Sequence, residues 1–220
     1  MKQFLLFIYI LFSTAVFSQQ NKLDIGFIGG PNASYLRASA SNSKIYPKIG
    51  FYAGLSAQYN FNKYCALHTE IAFEKKGCSE RATFLDANGN IIGDPKFAFQ
   101  YNCLTIPVLF RVSFGKKVKF FLNAGPYVSY LVNAEYKNIF GYNNPDGNYN
   151  ETSYLHKMDA GITHGLGILI PVHDKLYASC ELRDNFGVVG LFKSTPYYSN
   201  SQSYNYSLGL LFGLTYKFGK

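Results

Sequence analysis

Eight stretches of this chain alternate apolar with polar or small side chains at a period of two, and the links joining them are short and long in strict turn. The stretches span 23–34, 49–61, 64–78, 99–114, 118–135, 157–171, 176–186 and 204–218. A period of two marks a β-strand, because successive side chains leave the backbone on opposite sides. The 118–135 stretch is the clearest case. Phe120, Leu122, Ala124, Pro126, Val128 and Tyr130 share one face, and Lys119, Asn123, Gly125, Tyr127 and Ser129 share the other. In 99–114, Leu104, Ile106, Val108, Phe110, Val112 and Phe114 oppose Thr105, Pro107, Arg111 and Ser113. The final stretch sets Leu208, Leu210, Phe212 and Leu214 against Ser207, Gly209, Gly213 and Thr215.

The links decide what these strands build. Three are very short, 62–63, 115–117 and 172–175, whereas 35–48, 79–98, 136–156 and 187–203 are long and polar. A soluble sandwich has no reason to sort its loops this way. A barrel of the Gram-negative outer membrane does, with short periplasmic turns and long external loops. The sequence therefore predicts an all-β fold: an eight-stranded antiparallel up-and-down transmembrane barrel with both ends on the periplasmic side. Composition agrees, since Gly (20), Phe (20) and Tyr (19) suit turns and pleated surfaces, and only 15% of residues are charged.

The first residues differ from the rest. Lys2 precedes an almost continuous apolar run over 4–17, and Val16-Phe17-Ser18 offers tolerated residues at a cleavage point before Gln19. This is the layout of a secretory signal peptide, and the run falls short of the ~20 residues that a membrane helix needs. The expected organisation is a signal over 1–18 and a barrel domain over 19–220, with the product in the outer membrane. Lipid is the first expected partner. The net charge of +8 would attract anionic head groups or acidic partners. No basic run of the nucleic-acid type occurs.

Aromatic residues gather in two zones. Tyr59, Phe61, Tyr64, Phe114, Phe120, Tyr177, Tyr216 and Phe218 lie beside the short turns, and Phe99, Tyr101, Tyr130, Tyr154, Tyr204 and Tyr206 lie toward the long loops. They read as the two interfacial girdles of a membrane barrel.

If the apolar face meets lipid, the other face fills the interior. It carries Tyr52, Gln58, His68, Glu70, Glu74, Arg111, Asn123, Glu181, Arg183 and Asn185. Enclosed charges of both signs must pair, so a network of Glu70, Glu74 and Glu181 with Arg111 and Arg183 is expected, with His68 joining it beside Glu70. Eight strands leave an interior just wide enough for side chains, which favours a packed polar plug over a pore. Interior glycines, among them Gly125, Gly165 and Gly167, make room for long partners. His164 does not fit. It shares the lipid face with Ile162, Leu166 and Ile168, so either a bulge shifts the register or it faces a protein partner. Of the four cysteines, Cys78 and Cys103 have lumen parity near the outer ends of neighbouring strands and are the pair placed to form a disulfide. Cys65 and Cys180 are expected to be free.

No zinc spacing, nucleophile elbow or phosphate loop occurs. No catalytic residue, metal ligand or cofactor site is assigned, and the chain is expected not to be an enzyme. Asn88-Gly89 and Asp146-Gly147 are turn-forming pairs suited to cap loop hairpins.

The run Tyr101-Asn102-Cys103-Leu104-Thr105-Ile106-Pro107-Val108-Leu109-Phe110 and the later Ala124-Gly125-Pro126-Tyr127-Val128 resemble the PorT-like outer-membrane β-barrel family common in Bacteroidetes. Gly26-Phe27-Ile28-Gly29-Gly30-Pro31-Asn32 is similar to that family's first strand, and Glu181-Leu182-Arg183 to its seventh. The resemblance implies a structural, surface-interaction or secretion-accessory role, with partners at the external loops or periplasmic turns. A narrow channel, a ligand-binding barrel and a lipid hydrolase using His156 or His164 are the alternatives.

Overall fold

The computed structural model describes residues 23–38, 44–81, 84–93, 96–138, 148–150, 152–193 and 203–218. The expected signal over 1–18 and the Asp146-Gly147 turn lie outside them. In chain order the elements are β1 (Leu23–Ala38), β2 (Lys44–Asn60), β3 (Cys65–Arg81), β4 (Phe84–Leu85), β5 (Ile91–Gly93), β6 (Lys96–Gly115), β7 (Lys119–Asn138), β8 (Asn148–Asn150), one 3₁₀ turn at Thr152–Tyr154, β9 (Met158–His173), β10 (Leu176–Gly190) and β11 (Ser203–Lys217).

Eight long strands form the wall in the order β1-β2-β3-β6-β7-β9-β10-β11, each antiparallel to its neighbours. The first and last pair with each other, from Asp24↔Lys217 to Ala38↔Ser203, so the sheet closes into a barrel. Closure leaves no unpaired edge, the condition a sheet must meet in lipid. Among the described residues no helix is long and apolar enough to cross a membrane; strands make the crossing.

The short turns are built locally. Between β2 and β3, the Asn62 Oδ1 accepts from the backbone N–H groups of Tyr64 (2.8 Å) and Cys65 (2.9 Å). Between β6 and β7, Gly115 takes φ = +118°, and a Cβ there would stand 2.3 Å from the Val118 carbonyl oxygen. Only glycine fits both demands. At the opposite end the strands outrun the bilayer. β6 and β7 have 20 residues each, against the ~9–11 that a tilted strand needs to cross. β8 pairs with the outer end of β7, and β4 and β5 form a hairpin above the wall. In that hairpin Gly89 has φ = +83°, and the Asp86 Oδ1 accepts from the N–H groups of Asn88 and Asn90, both at 2.8 Å. The Asn88-Gly89 pair thus does cap a loop hairpin.

Apolar residues are turned outward around the whole wall. Phe27, Leu55, Ile71, Phe110, Leu122, Leu166, Leu182 and Phe212, one from each long strand, are all exposed. In water so wide an apolar belt would drive aggregation; in acyl chains it is the solvated face.

Candidate functional site

The interior of the barrel gathers the chemistry of the chain, in three layers.

The middle layer is ionic. Arg183, on β10, is buried at its centre. Its Nη1 and Nη2 donate to the two carboxylate oxygens of Glu70, both at 2.8 Å, and its Nε and Nη2 donate to Glu181, also both at 2.8 Å. A planar guanidinium makes this double fork where an ammonium would not. Glu70 also accepts from the Tyr52 hydroxyl at 2.5 Å and sits 2.7 Å from His68 Nε2. Arg111 donates to Asn123 (2.8 Å) and Gln58 (2.7 Å), stacks 4.2 Å from the Phe121 ring centroid, and reaches Glu181 at 3.7 Å. Asn123 in turn donates to Glu181 at 2.9 Å.

Glu74 departs from the expected pairing with an arginine. Its cation is Lys76, whose Nζ lies 3.1 Å away. Thr105 and Ser207 donate to it, each at 2.9 Å. The sequence reading missed Lys76, although an even residue number in β3 places it inward beside Glu74. It also missed Asp159, which accepts from Asn205 at 2.8 Å and from Tyr127 at 3.3 Å. The network is thus wider than expected and, among the described residues, has three buried cations, Arg111, Arg183 and Lys76.

Glycines admit these long side chains. A Cβ on Gly165 would stand 2.2 Å from Glu181 Oε1, and one on Gly167 would stand 2.5 Å from the Phe121 ring. The space left beside Glu74 and Arg183 is a cavity of about 10 Å³, room for about one water.

The outer layer is apolar. Leu36, Phe99, Tyr101, Leu131, Leu155 and Leu191 pack together inside the external end. Leu155 and Leu191 come from segments that fold across the mouth, tied by the His156 N–H to the Leu191 carbonyl (2.9 Å) and the Leu191 N–H to the Ser203 carbonyl (2.8 Å). Three expectations are corrected. Phe99 and Tyr101 are not girdle residues. They share parity with Cys103 and Thr105, so they point inward, and Tyr101 donates to Asn205. Likewise Tyr177 belongs to the periplasmic mouth, with Lys217 Nζ 3.7 Å from its ring centroid. The expected bridge is also absent, since Cys78 and Cys103 are free. Cys78 pairs across the sheet with Phe99, and Cys103 with Glu74. That register separates them by four residues along the strands, ~13 Å, well beyond the reach of a disulfide.

The inner layer is an open vestibule of about 310 Å³ at the periplasmic mouth, lined by Asp24, Gln58, Asn60, Lys119, Tyr177 and Lys217 among others.

His164 is exposed on the outer wall. The β9–β10 register runs unbroken from Tyr177↔Pro171 to Gly187↔Gly161, which removes the bulge as an explanation. Its cross-strand neighbours are Ala124 and Asp184, and neither offers a hydroxyl nucleophile. His156 contributes its backbone to the external closure.

A closed cylinder that is apolar outside, ionic inside and long enough in its strands to cross lipid is an integral outer-membrane β-barrel protein. Residues 17–193 match the family described as the outer membrane protein beta-barrel domain, and the chain belongs to that family. No curated protein matches the sequence. Among solved structures, the chain is similar to the Neisserial surface protein A, with 13% identity, 89% of this chain and 96% of that one covered, and a TM-score of 0.47. It is similar to OprG of Pseudomonas aeruginosa, with 9% identity, coverage of 90% and 97%, and a TM-score of 0.47. It is also similar to Ail of Yersinia pestis in complex with the heparin analogue sucrose octasulfate, with 12% identity, coverage of 89% and 99%, and a TM-score of 0.42. The fold rests on the strand pairing, and these likenesses say nothing about activity.

Proposed function

We propose that this barrel is a non-enzymatic, non-conducting membrane scaffold that works through its rims, as a surface-interaction protein or an accessory of protein secretion of the PorT-like kind. One observation carries this reading. Above the periplasmic vestibule the interior is occupied by side chains, with an apolar closure at the external end over a bonded ionic layer in which the space beside Glu74 and Arg183 is about 10 Å³. A solute path would need that layer to part, leaving buried charges without partners. Function then belongs to the parts that project, the extended outer ends of β6 and β7 and the loops they carry. Purified protein in planar bilayers is expected to be silent. Steady conductance that changes on Arg111→Ala would establish the channel instead. Deleting the gene and comparing secreted and surface proteins tests the secretion role, which unchanged profiles would remove.

A second reading is favoured by the vestibule, whose size falls in the range of small-ligand sites. Ligand binding there is expected to show as a bound mass in native mass spectrometry that Lys119→Ala and Lys217→Ala remove.

A further inference from the structure

The outer wall carries an acid and a base where lipid should be. His164 on β9 and Asp184 on β10 are direct cross-strand partners. Their side chains are 58% and 30% exposed, and His164 Nδ1 lies 3.7 Å from Asp184 Oδ1. That separation is too long for a good hydrogen bond, so each retains unmet capacity. The pair is not at a rim. Exposed Leu166, Ile170, Val172 and Leu182 lie on its periplasmic side, and exposed Met158, Ile162, Phe186 and Val188 on its external side. Just external to it stand Tyr206, the cross-strand partner of Phe186, and Arg37, whose guanidinium lies 3.6 Å from the Phe186 ring centroid, so the pair sits at the lipid side of the outer girdle, where an acid and a base facing acyl chains are costly and mark a protein contact.

The surroundings suit close approach. The residue across β7 from His164 is Ala124, and the outward position beyond Ile162 on β9 is Ala160. Small side chains let a second wall come near, as in packed membrane helices.

The arrangement also says which wall. Two barrels inserted in the same direction are related by a two-fold axis along the membrane normal. That operation exchanges lateral neighbours at nearly the same height, which is how His164 and Asp184 are placed across the β9–β10 ladder. A surface with a base beside an acid is therefore complementary to its own copy, as a closed two-fold interface requires. We propose that a second copy of this chain covers the β9–β10 wall, so that His164 of each copy meets Asp184 of the other.

The test counts protomers by single-molecule photobleaching of terminally labelled protein in phosphatidylethanolamine–phosphatidylglycerol vesicles. Wild type is expected to be dimeric. His164→Asp sets carboxylate against carboxylate across the interface and Asp184→His sets imidazole against imidazole, so each alone removes the acid–base match and should lower the dimer fraction tenfold or more. Mixing the two variants restores both matched pairs, so mixed dimers should return. Heat-modifiable gel mobility checks that each variant folds. His164→Leu with Asp184→Leu, apolar at lipid-facing positions, should fold and remain monomeric. A monomeric wild type, variants that dimerise like wild type, or a mixture that fails to recover would each overturn the proposal. So would cross-linking of this wall in native membranes to a different polypeptide.

Discussion

Arg183 shows what one residue holds together. Its guanidinium is the shared donor to Glu70 and Glu181. Arg183→Met leaves both carboxylates buried beside one fewer cation and is expected to destabilise the barrel by about 3–5 kcal/mol, measured by urea unfolding in lipid vesicles. Gly165→Val sets a branched side chain where a Cβ alone would stand 2.2 Å from Glu181. It should cost about 1–3 kcal/mol in the same assay, with little change for the same substitution at the half-buried Gly190, where a Cβ meets nothing. Denatured protein is expected to titrate as four free thiols, in keeping with the separation of Cys78 and Cys103. Parity made most of this site readable, since Glu70, Arg111, Glu181 and Arg183 all sit where counting by two puts them. The same count would have placed Lys76, Asp159 and Tyr101 inside; treating aromatics as girdle by their nearness to loops misplaced the last. Which acid meets which base was not readable. It depends on the stagger between distant strands such as β3 and β10, which no local pattern encodes.

At the scale of elements, the barrel strands match the eight alternating stretches, but the outer ends of all but β9 run further. The alternation fades where the strands leave lipid, as in the outer part of β6, where the neighbours Ala98 and Phe99 are both buried, so the pattern stops before the pairing does. Local bonds hold the β4–β5 hairpin together. Hydrogen bonds from the Asn90 side chain, and then from backbone N–H groups, hold the Asp86 carboxyl below its ordinary range. A depressed carboxyl stabilises while ionised, so the order it contributes is present at neutral pH and is lost as pH falls through its lowered value. Asp86→Ala is expected to speed amide exchange across 84–93 and leave the exchange of β3 and β6 unchanged, as followed by mass spectrometry.

For the whole molecule, the seam between β1 and β11 has a consequence for biogenesis. The strand made last is a neighbour of the strand made first, from Asp24↔Lys217 onward. A nascent chain that stops short of Ser203 has two raw margins and no way to zip them. It must be sheltered until β11 has been made, and a stop codon just ahead of β11 should be as damaging as one in the middle of the barrel. A nick in an external loop is a different injury. The cut ends stay tethered by the ladders on either side, so a cleaved cylinder should survive where a truncated one does not.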